Sequence, residues 1–188
     1  MTTTLQRIAY HYNQPQPLIK DLVPMVGSKE EVKIADIGSG PYSVIGQSLE
    51  GVKIEVYPSD RHNFEVFWKR WKMTPLKPIE IQDMEKLTYK DKFFDIVTCM
   101  NALDHTKNAF ASVKEMIRIV KPGGWVYIDC YLDQQKTGHK HYWNVQEDGR
   151  LTGPRGEFDL KEFGFNIKYI DKGGLRRHNQ IIATYQKK

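Results

Sequence analysis

The stretch "IADIGSGPYS" (residues 34–43) ends an apolar run in Asp36 and then turns on Gly38, Ser39 and Gly40. Such a turn can bring backbone N–H groups to a bound phosphate, hold another cofactor, or only reverse the chain. The nicotinamide fingerprint G-x-G-x-x-G needs a third glycine at residue 43, where Ser43 stands, and no phosphate-binding lysine follows, which disfavours a dinucleotide. A second group of chemistry-bearing side chains, His139, His141, Tyr142 and Trp143, comes later in the chain. Two histidines two residues apart on an extended chain project to the same side, as a metal pair would, but no clear third ligand is nearby and no metal site is assigned. Polar and stacking contact with a substrate, or ordinary loop packing, are the other uses of that group. Cys99 and Cys130 lie inside apolar runs and read as small core residues, neither a disulfide nor a zinc set.

These residues need a scaffold, and the periodicity supplies one. A helix is expected in "QPLIKDLVPMVG", then a buried strand in "VKIADI", a helix in "YSVIGQSLE" and a second strand in "VKIEVY". Phe64, Phe67, Trp68 and Trp71 recur at helical spacing and predict a helix packed on a sheet. "PIEIQ", "FFDIVTCM" and "GWVYIDCY" are further strands. Between the last two, "NAFASVKEMIRIV" places Phe110, Val113, Ile117 and Val120 on one helical face and stops at "KPGG". Strands alternating with helices imply parallel strands joined by right-handed crossovers, hence a doubly wound sheet. The tail breaks this rhythm: "FNIKYI" and "NQIIATYQ" are too close for a parallel crossover and predict an antiparallel hairpin. "QEDGR" reads as another hairpin turn, in a small β addition at the rim of the sheet.

At 188 residues and 40% hydrophobic content the chain fits one domain with one sizeable core. No run approaches the ~20 apolar residues that cross a bilayer, so no membrane span is expected, and the polar start "MTTTLQRIAYHYNQPQP" lacks a signal-peptide core. A cytoplasmic location is the expectation. The formal net charge is +5, and residues 131–188 carry 11 Lys or Arg against 7 Asp or Glu, so this third holds +4 of it without a dense basic block. A solvated surface or an anionic ligand accounts for such a mild excess. There is no internal repeat or low-complexity tract.

Four landmarks in order, "IADIGSGP", "VYPSD", "IQDMEKL" and "FDIVTCMNALDHTKNAFASVKEMIRIVKPGGWVYI", are similar to those of the class I S-adenosylmethionine-dependent methyltransferases of the small methyltransferase-domain type. The resemblance covers most of the chain and is strongest from Val32 to Tyr131. It implies an α/β, doubly wound Rossmann-like seven-stranded sheet, mostly parallel with an antiparallel last strand. Residues 1–188 would form a single methyltransferase domain, with an N-terminal helical cap (1–30) and a substrate-side insertion (131–157). The implied cofactor is S-adenosylmethionine, leaving as S-adenosylhomocysteine, with Gly38, Ser39, Gly40 and Asn101 beside its methionine part. Asp36 would brace the loop or receive the cofactor amine through water. Many relatives carry the ribose-binding acid where this chain has Tyr57, so Asp60, twenty residues past Gly40, takes that role, with Glu55 and Asp36 as lesser candidates. A carboxylate suits a diol because it accepts both hydroxyl hydrogens. Asp83 would accept from the adenine amine and Met84 offer its N–H to the ring, unless Asp83 only caps a helix ahead of "MEKL".

Methyl transfer from a sulfonium asks for position and, with a hydroxyl acceptor, for loss of a proton. His105, in "NALDH" after the fourth strand, is the candidate general base, or it packs the next helix; Asp104 could orient it. That strand end lacks the "[DN]PP[YF]" turn of nucleic-acid amino methylases and the "PC" nucleophile of cytosine C5 enzymes, which disfavours nucleic acid as partner. The leading reading is O-methylation of a small-molecule or saccharide acceptor, with His139, His141 and Trp143 on the acceptor's side. An RNA or other nucleic-acid methyltransferase and a non-catalytic cofactor-binding module are the alternatives, and a monomer or homodimer is expected.

Overall fold

In the computed structural model, residues 14–132, 141–172 and 179–188 are described. Strands β1 (Glu31–Ile37), β2 (Lys53–Asp60), β3 (Glu80–Ile81), β4 (Phe94–Met100), β5 (Val120–Tyr131), β9 (Asn166–Ile170) and β10 (Gln180–Gln186) form a seven-stranded sheet ordered β3-β2-β1-β4-β5-β10-β9. β1 pairs in parallel with β2 and β4, and β4 with β5; β10 runs antiparallel to both of its neighbours. This is the doubly wound, mostly parallel α/β sheet with a reversed last strand, and β10 with β9 is the expected terminal hairpin. The order of strands reverses between β1 and β4, which leaves a crevice beyond their carboxyl ends. Among the described residues no helix is long and apolar enough to cross a membrane.

Alternation along the central strands feeds two apolar layers. Ile34, Ile96 and Tyr127 pack with Leu18, Leu22, Met25 and Val26 on one face; Ala35, Val97, Val126 and Ile128 meet helix α3 (Ala109–Ile119) on the other. Cys99 and Cys130 are free and buried, as small core residues. Strands β6 (Asn144–Val145), β7 (Arg150–Gly153) and β8 (Gly156–Asp159) form a separate small antiparallel sheet, with the "QEDGR" turn joining the first two.

Three local expectations fail, each for a physical reason. The helix expected in "YSVIGQSLE" does not form. Gly46 sits at φ 77°, where any Cβ would collide with the Pro17 carbonyl, and the N–H groups of Gln47 and Ser48 donate to Gln16 O. The N-terminal segment thus takes the backbone donors that a helix would use. Among its described residues the segment contributes a single helical turn, α1 (Val23–Val26), opened by Pro24. Helix α2 (Glu65–Trp71) carries the aromatic stripe but buries none of it. Its rings lean on one another, Phe64 against Phe67 and Trp68, Phe67 against Trp71, and Trp68 Nε1 donates to Pro41 O. Finally, α3 buries Ala109, Ser112, Val113, Met116 and Ile119, while Phe110 is 45% exposed. The period is as expected, but the face that approaches the sheet is rotated by one position, from Phe110 onto Ala109, Ser112, Met116 and Ile119.

The sheet also buries acids. Asp129 on β5 has one carboxylate oxygen without a partner among the described residues, and desolvation pushes its pKa up to about 6, opposed by Lys172. A folded-state pKa above the unfolded value means that the folded chain keeps a proton the unfolded chain has lost, so this contribution is full below about pH 4 and disappears as pH rises through about 6. Asp36, also raised to about 6, adds in the same direction. Stability measured by urea denaturation should therefore fall between pH 4 and pH 6 by on the order of 2 kcal/mol per group. Asp129→Asn, which keeps the shape without the charge, should flatten that slope; an unaltered slope would show that Asp129 ionises freely.

Candidate active site

Beyond the carboxyl ends of β1 to β4 lies a cavity of about 490 Å³, lined by Gly38, Asp60, Asp83, Met84, Asn101 and His105 together with Gln82, Glu85, Thr106 and Tyr142. Six of the residues singled out from sequence thus meet on one wall system. Gly38 can only be glycine here: φ is 74°, and a Cβ would stand 2.5 Å from that of Ala102. The N–H groups of Gly38 and Ser39 both donate to Ser59 O, and Gly40 N donates to Asp60 Oδ2 at 3.1 Å. The glycine loop is therefore fastened to the end of β2 rather than to a helix behind it.

Asp60 has a second duty. Its Oδ1 accepts from the His62 backbone N–H and faces His62 Nδ1, each at 2.9 Å. A carboxylate offers about four acceptor positions. Asp60 thus keeps capacity for a hydroxyl on the cavity side, where it is 12% exposed. Glu55, the lesser candidate, is engaged elsewhere, with Lys53, Lys33 and the Tyr57 hydroxyl. Asp36 does not line the cavity: it is buried beneath the loop, accepting from Ser43 Oγ at 2.6 Å and Thr98 Oγ1 at 2.9 Å. Burial raises its pKa to about 6 despite these two donors. Its place is that of a loop brace. Asp83 heads a tight turn, accepting from Glu85 N, and no helix follows it.

At the end of β4 the chain reverses through Asn101, at φ 49°, whose N–H donates to Asp129 O and whose Oδ1 accepts from Tyr131 N. A 3-10 turn, Leu103–His105, then carries His105 over the cavity. Asp104 does not orient His105. It is 1% exposed, its carbonyl accepts from the N–H groups of Tyr142 and Trp143, and its Oδ2 lies 2.5 Å from His141 Nδ1. The carboxylate can only accept, so Nδ1 of His141 is the donor in this pair. The rings of His141 and His105 lie 4.3 Å apart between centroids, tilted by 39°. Sequence spacing gave no hint of this pairing, because Asp104 and His141 stand 37 residues apart.

Trp143 is not on the acceptor side. It is 4% exposed, its Nε1 donates to Thr106 O, and its ring packs on Phe158. An indole tied at both its polar and its apolar ends is part of the core. Tyr142, beside it, lines the cavity instead. His139 lies outside the described residues.

A switch-point cavity with a glycine loop on β1, an acid at the end of β2, an acid after β3 and an imidazole after β4 matches what the resemblance to class I methyltransferases implies. Residues 35–128 match the family described as "Methyltransferase domain", and the chain belongs to that family. Over 161 residues it is 26% identical to the ubiquinone biosynthesis O-methyltransferase of Proteus mirabilis, covering 81% of this chain and 64% of that one. Over 51 residues it is 37% identical to the ubiquinone/menaquinone biosynthesis C-methyltransferase of Chromobacterium violaceum, covering 27% of this chain and 21% of that one. The chain spans less than two thirds of the length of either relative. In structure it resembles a SAM-dependent methyltransferase from Aquifex aeolicus, with TM-score 0.54, 13% identity and coverage of 95% and 97% of the two chains.

The donor set fits the cofactor of that family. Open space surrounds the point where a Gly40 Cβ would stand, the Asp60 carboxylate has acceptor capacity left for a ribose hydroxyl, and Asp83 flanks the far wall. Asp60→Ala should weaken S-adenosylhomocysteine, measured by calorimetry, by about 10- to 100-fold, the worth of hydrogen bonds to a charged group. Unchanged affinity would leave Asp60 with the glycine loop alone.

Proposed function

We propose that the chain methylates an oxygen atom of a small-molecule or saccharide acceptor. The observation that carries this reading is that one cavity joins the cofactor residues to His105, Thr106 and Tyr142. S-adenosylmethionine, when bound, supplies an activated methyl group. Asp60 holds the ribose hydroxyls, Asp83 and the Met84 backbone receive the adenine, and the Gly38 to Gly40 loop with Asn101 faces the methionine part. Ser39 contributes through its backbone.

On the acceptor side, a hydroxyl is a poor nucleophile until its proton leaves. His105 takes that proton at the cavity wall, and the His141 ring stacked against it restricts its orientation. The Asp104 carboxylate fixes His141 in turn. The name of the Proteus mirabilis relative supports oxygen as the acceptor atom, and the absence of a "[DN]PP[YF]" turn after β4 argues against a base in nucleic acid. Tyr142 supplies an aromatic wall for a planar or sugar ring. The described lysines and arginines of the tail are mostly exposed, and a solvated surface accounts for them without a polyanion.

Incubation with S-adenosylmethionine and a panel of phenolic and saccharide acceptors should yield S-adenosylhomocysteine and a product whose methyl group NMR places on oxygen. His105→Ala should cut kcat by ~10² to 10⁴-fold, the usual worth of a positioned base, while S-adenosylhomocysteine affinity holds. Turnover within a few-fold of the parent chain would remove His105 from the proton transfer. A methyl group found on carbon would overturn the choice of acceptor.

A further inference from the structure

Asp104, His105 and His141 each present a ligand atom, and these atoms lie within 4.8 Å of one another. Two imidazoles and a carboxylate form a set that suits first-row transition cations better than Mg²⁺ or Ca²⁺, which take oxygen. A second, separate observation concerns Asp104. Its side chain is 1% exposed, and its Oδ1 has no hydrogen-bond partner among the described residues. A buried carboxylate oxygen left without a donor is costly, and a cation bound beside it would remove that cost. His141 is closed off as well, with 3% of its side chain exposed, whereas His105 lines the cavity. The cluster is thus sealed on the protein side and open on the acceptor side, the arrangement of a catalytic site that keeps a coordination position for substrate.

We propose that Asp104, His105 and His141 bind a divalent transition-metal cation at the acceptor end of the cavity. The proposal rests on the reading of that cavity as the acceptor's place. Cation and proton compete for the same imidazole, so in the loaded site His105 is a ligand and no longer the base. The acceptor's hydroxyl oxygen then enters the open coordination position, and the cation makes its proton acidic enough to leave to solvent near neutral pH. Sequence reading looked for the third ligand near His139 and His141; the fold brings it from the far end of β4.

The test uses the whole chain, stripped with a chelator and titrated with Zn²⁺ by calorimetry and with Co²⁺ by visible absorption. One equivalent should bind, and Co²⁺ should show the intense d–d bands of a low-coordinate site. His141→Ala and Asp104→Asn should each weaken binding by at least about 100-fold, while Asp60→Ala leaves it intact. Far-UV circular dichroism on the same samples reports that each variant is folded, and S-adenosylhomocysteine binding is measured on the parent chain. No saturable cation binding by the parent chain, or binding undiminished in a folded His141→Ala, sinks the proposal. Cation binding without any S-adenosylhomocysteine binding would instead overturn the cofactor reading and leave the metal site standing.

Discussion

Asp104 commits its carbonyl and one carboxylate oxygen to chain that returns from the far side of β5. Its carbonyl takes two backbone donors, from Tyr142 and Trp143, and its carboxylate takes His141. Trp143 adds a bond in the same direction, to Thr106 O. Four bonds thus join residues 141–143 of the insertion to the turn after β4, and the side-chain ones are at least partly buried. Such bonds are worth more in a low-dielectric setting, and breaking one partner leaves the other unsatisfied. This clasp decides where His105 points and which ring of the insertion faces the cavity. The apolar anchor of the small sheet, with Trp143, Val145, Leu151 and Phe158 in the main core, keeps the clasp from sliding.

A different logic holds the cofactor side. There the tie is between strand ends: two loop N–H groups on Ser59 O and one on the Asp60 carboxylate. Because these donors come from consecutive backbone positions, the loop must carry positive φ at Gly38 and Gly40, and substitution at either is strained. Asp36 braces the same loop from below through Ser43, which stands where a dinucleotide fold would have glycine. Ser43 is thus the reason for the departure from that fingerprint: it is a hydrogen-bond donor to a buried acid. The loop thus has two acids, Asp60 beside it and Asp36 beneath it, and burial, with a smaller contribution from the Asp60 charge, raises the Asp36 pKa to about 6.

Where a wall of the cavity is carried by contiguous motif, the sequence was sufficient to find it. The order of strands, the reversed tail, and the convergence of Gly38, Asp60, Asp83, Met84, Asn101 and His105 all follow from patterns of a few residues each. What failed depended on contacts distant in sequence. A helix was expected after β1 because "YSVIGQSLE" has helical composition, but Gly46 must fit against Pro17, and nothing local reveals that neighbour. The aromatic stripe of α2 has the period of a buried face, yet a seven-residue helix at the sheet's rim has no sheet to lie on. Trp143 was placed with the acceptor by its proximity to histidine, although Phe158 and Thr106 claim both its ends. Asp104 was read toward its sequence neighbour, when adjacent residues on a tight turn point apart.

The two halves of the cavity therefore answer to different constraints. The cofactor half is made by the ends of parallel strands, whose register is fixed by the buried sheet, so its geometry is tied to the stability of the whole domain. The other half, which we read as the acceptor's, is bounded by an insertion whose own sheet has three short strands; it brings Tyr142 to the cavity wall and His141 behind His105. Residues in that insertion can change without touching Asp60 or the glycine loop, which frees the choice of acceptor from the binding of cofactor. Asp104 is the exception. It belongs to the strand-end half by sequence and to the insertion by its bonds, so a change of acceptor-side geometry that moves His141 also strips a buried carboxylate of its partner. The acceptor half is thus free to vary everywhere except at the point where it meets the chemistry.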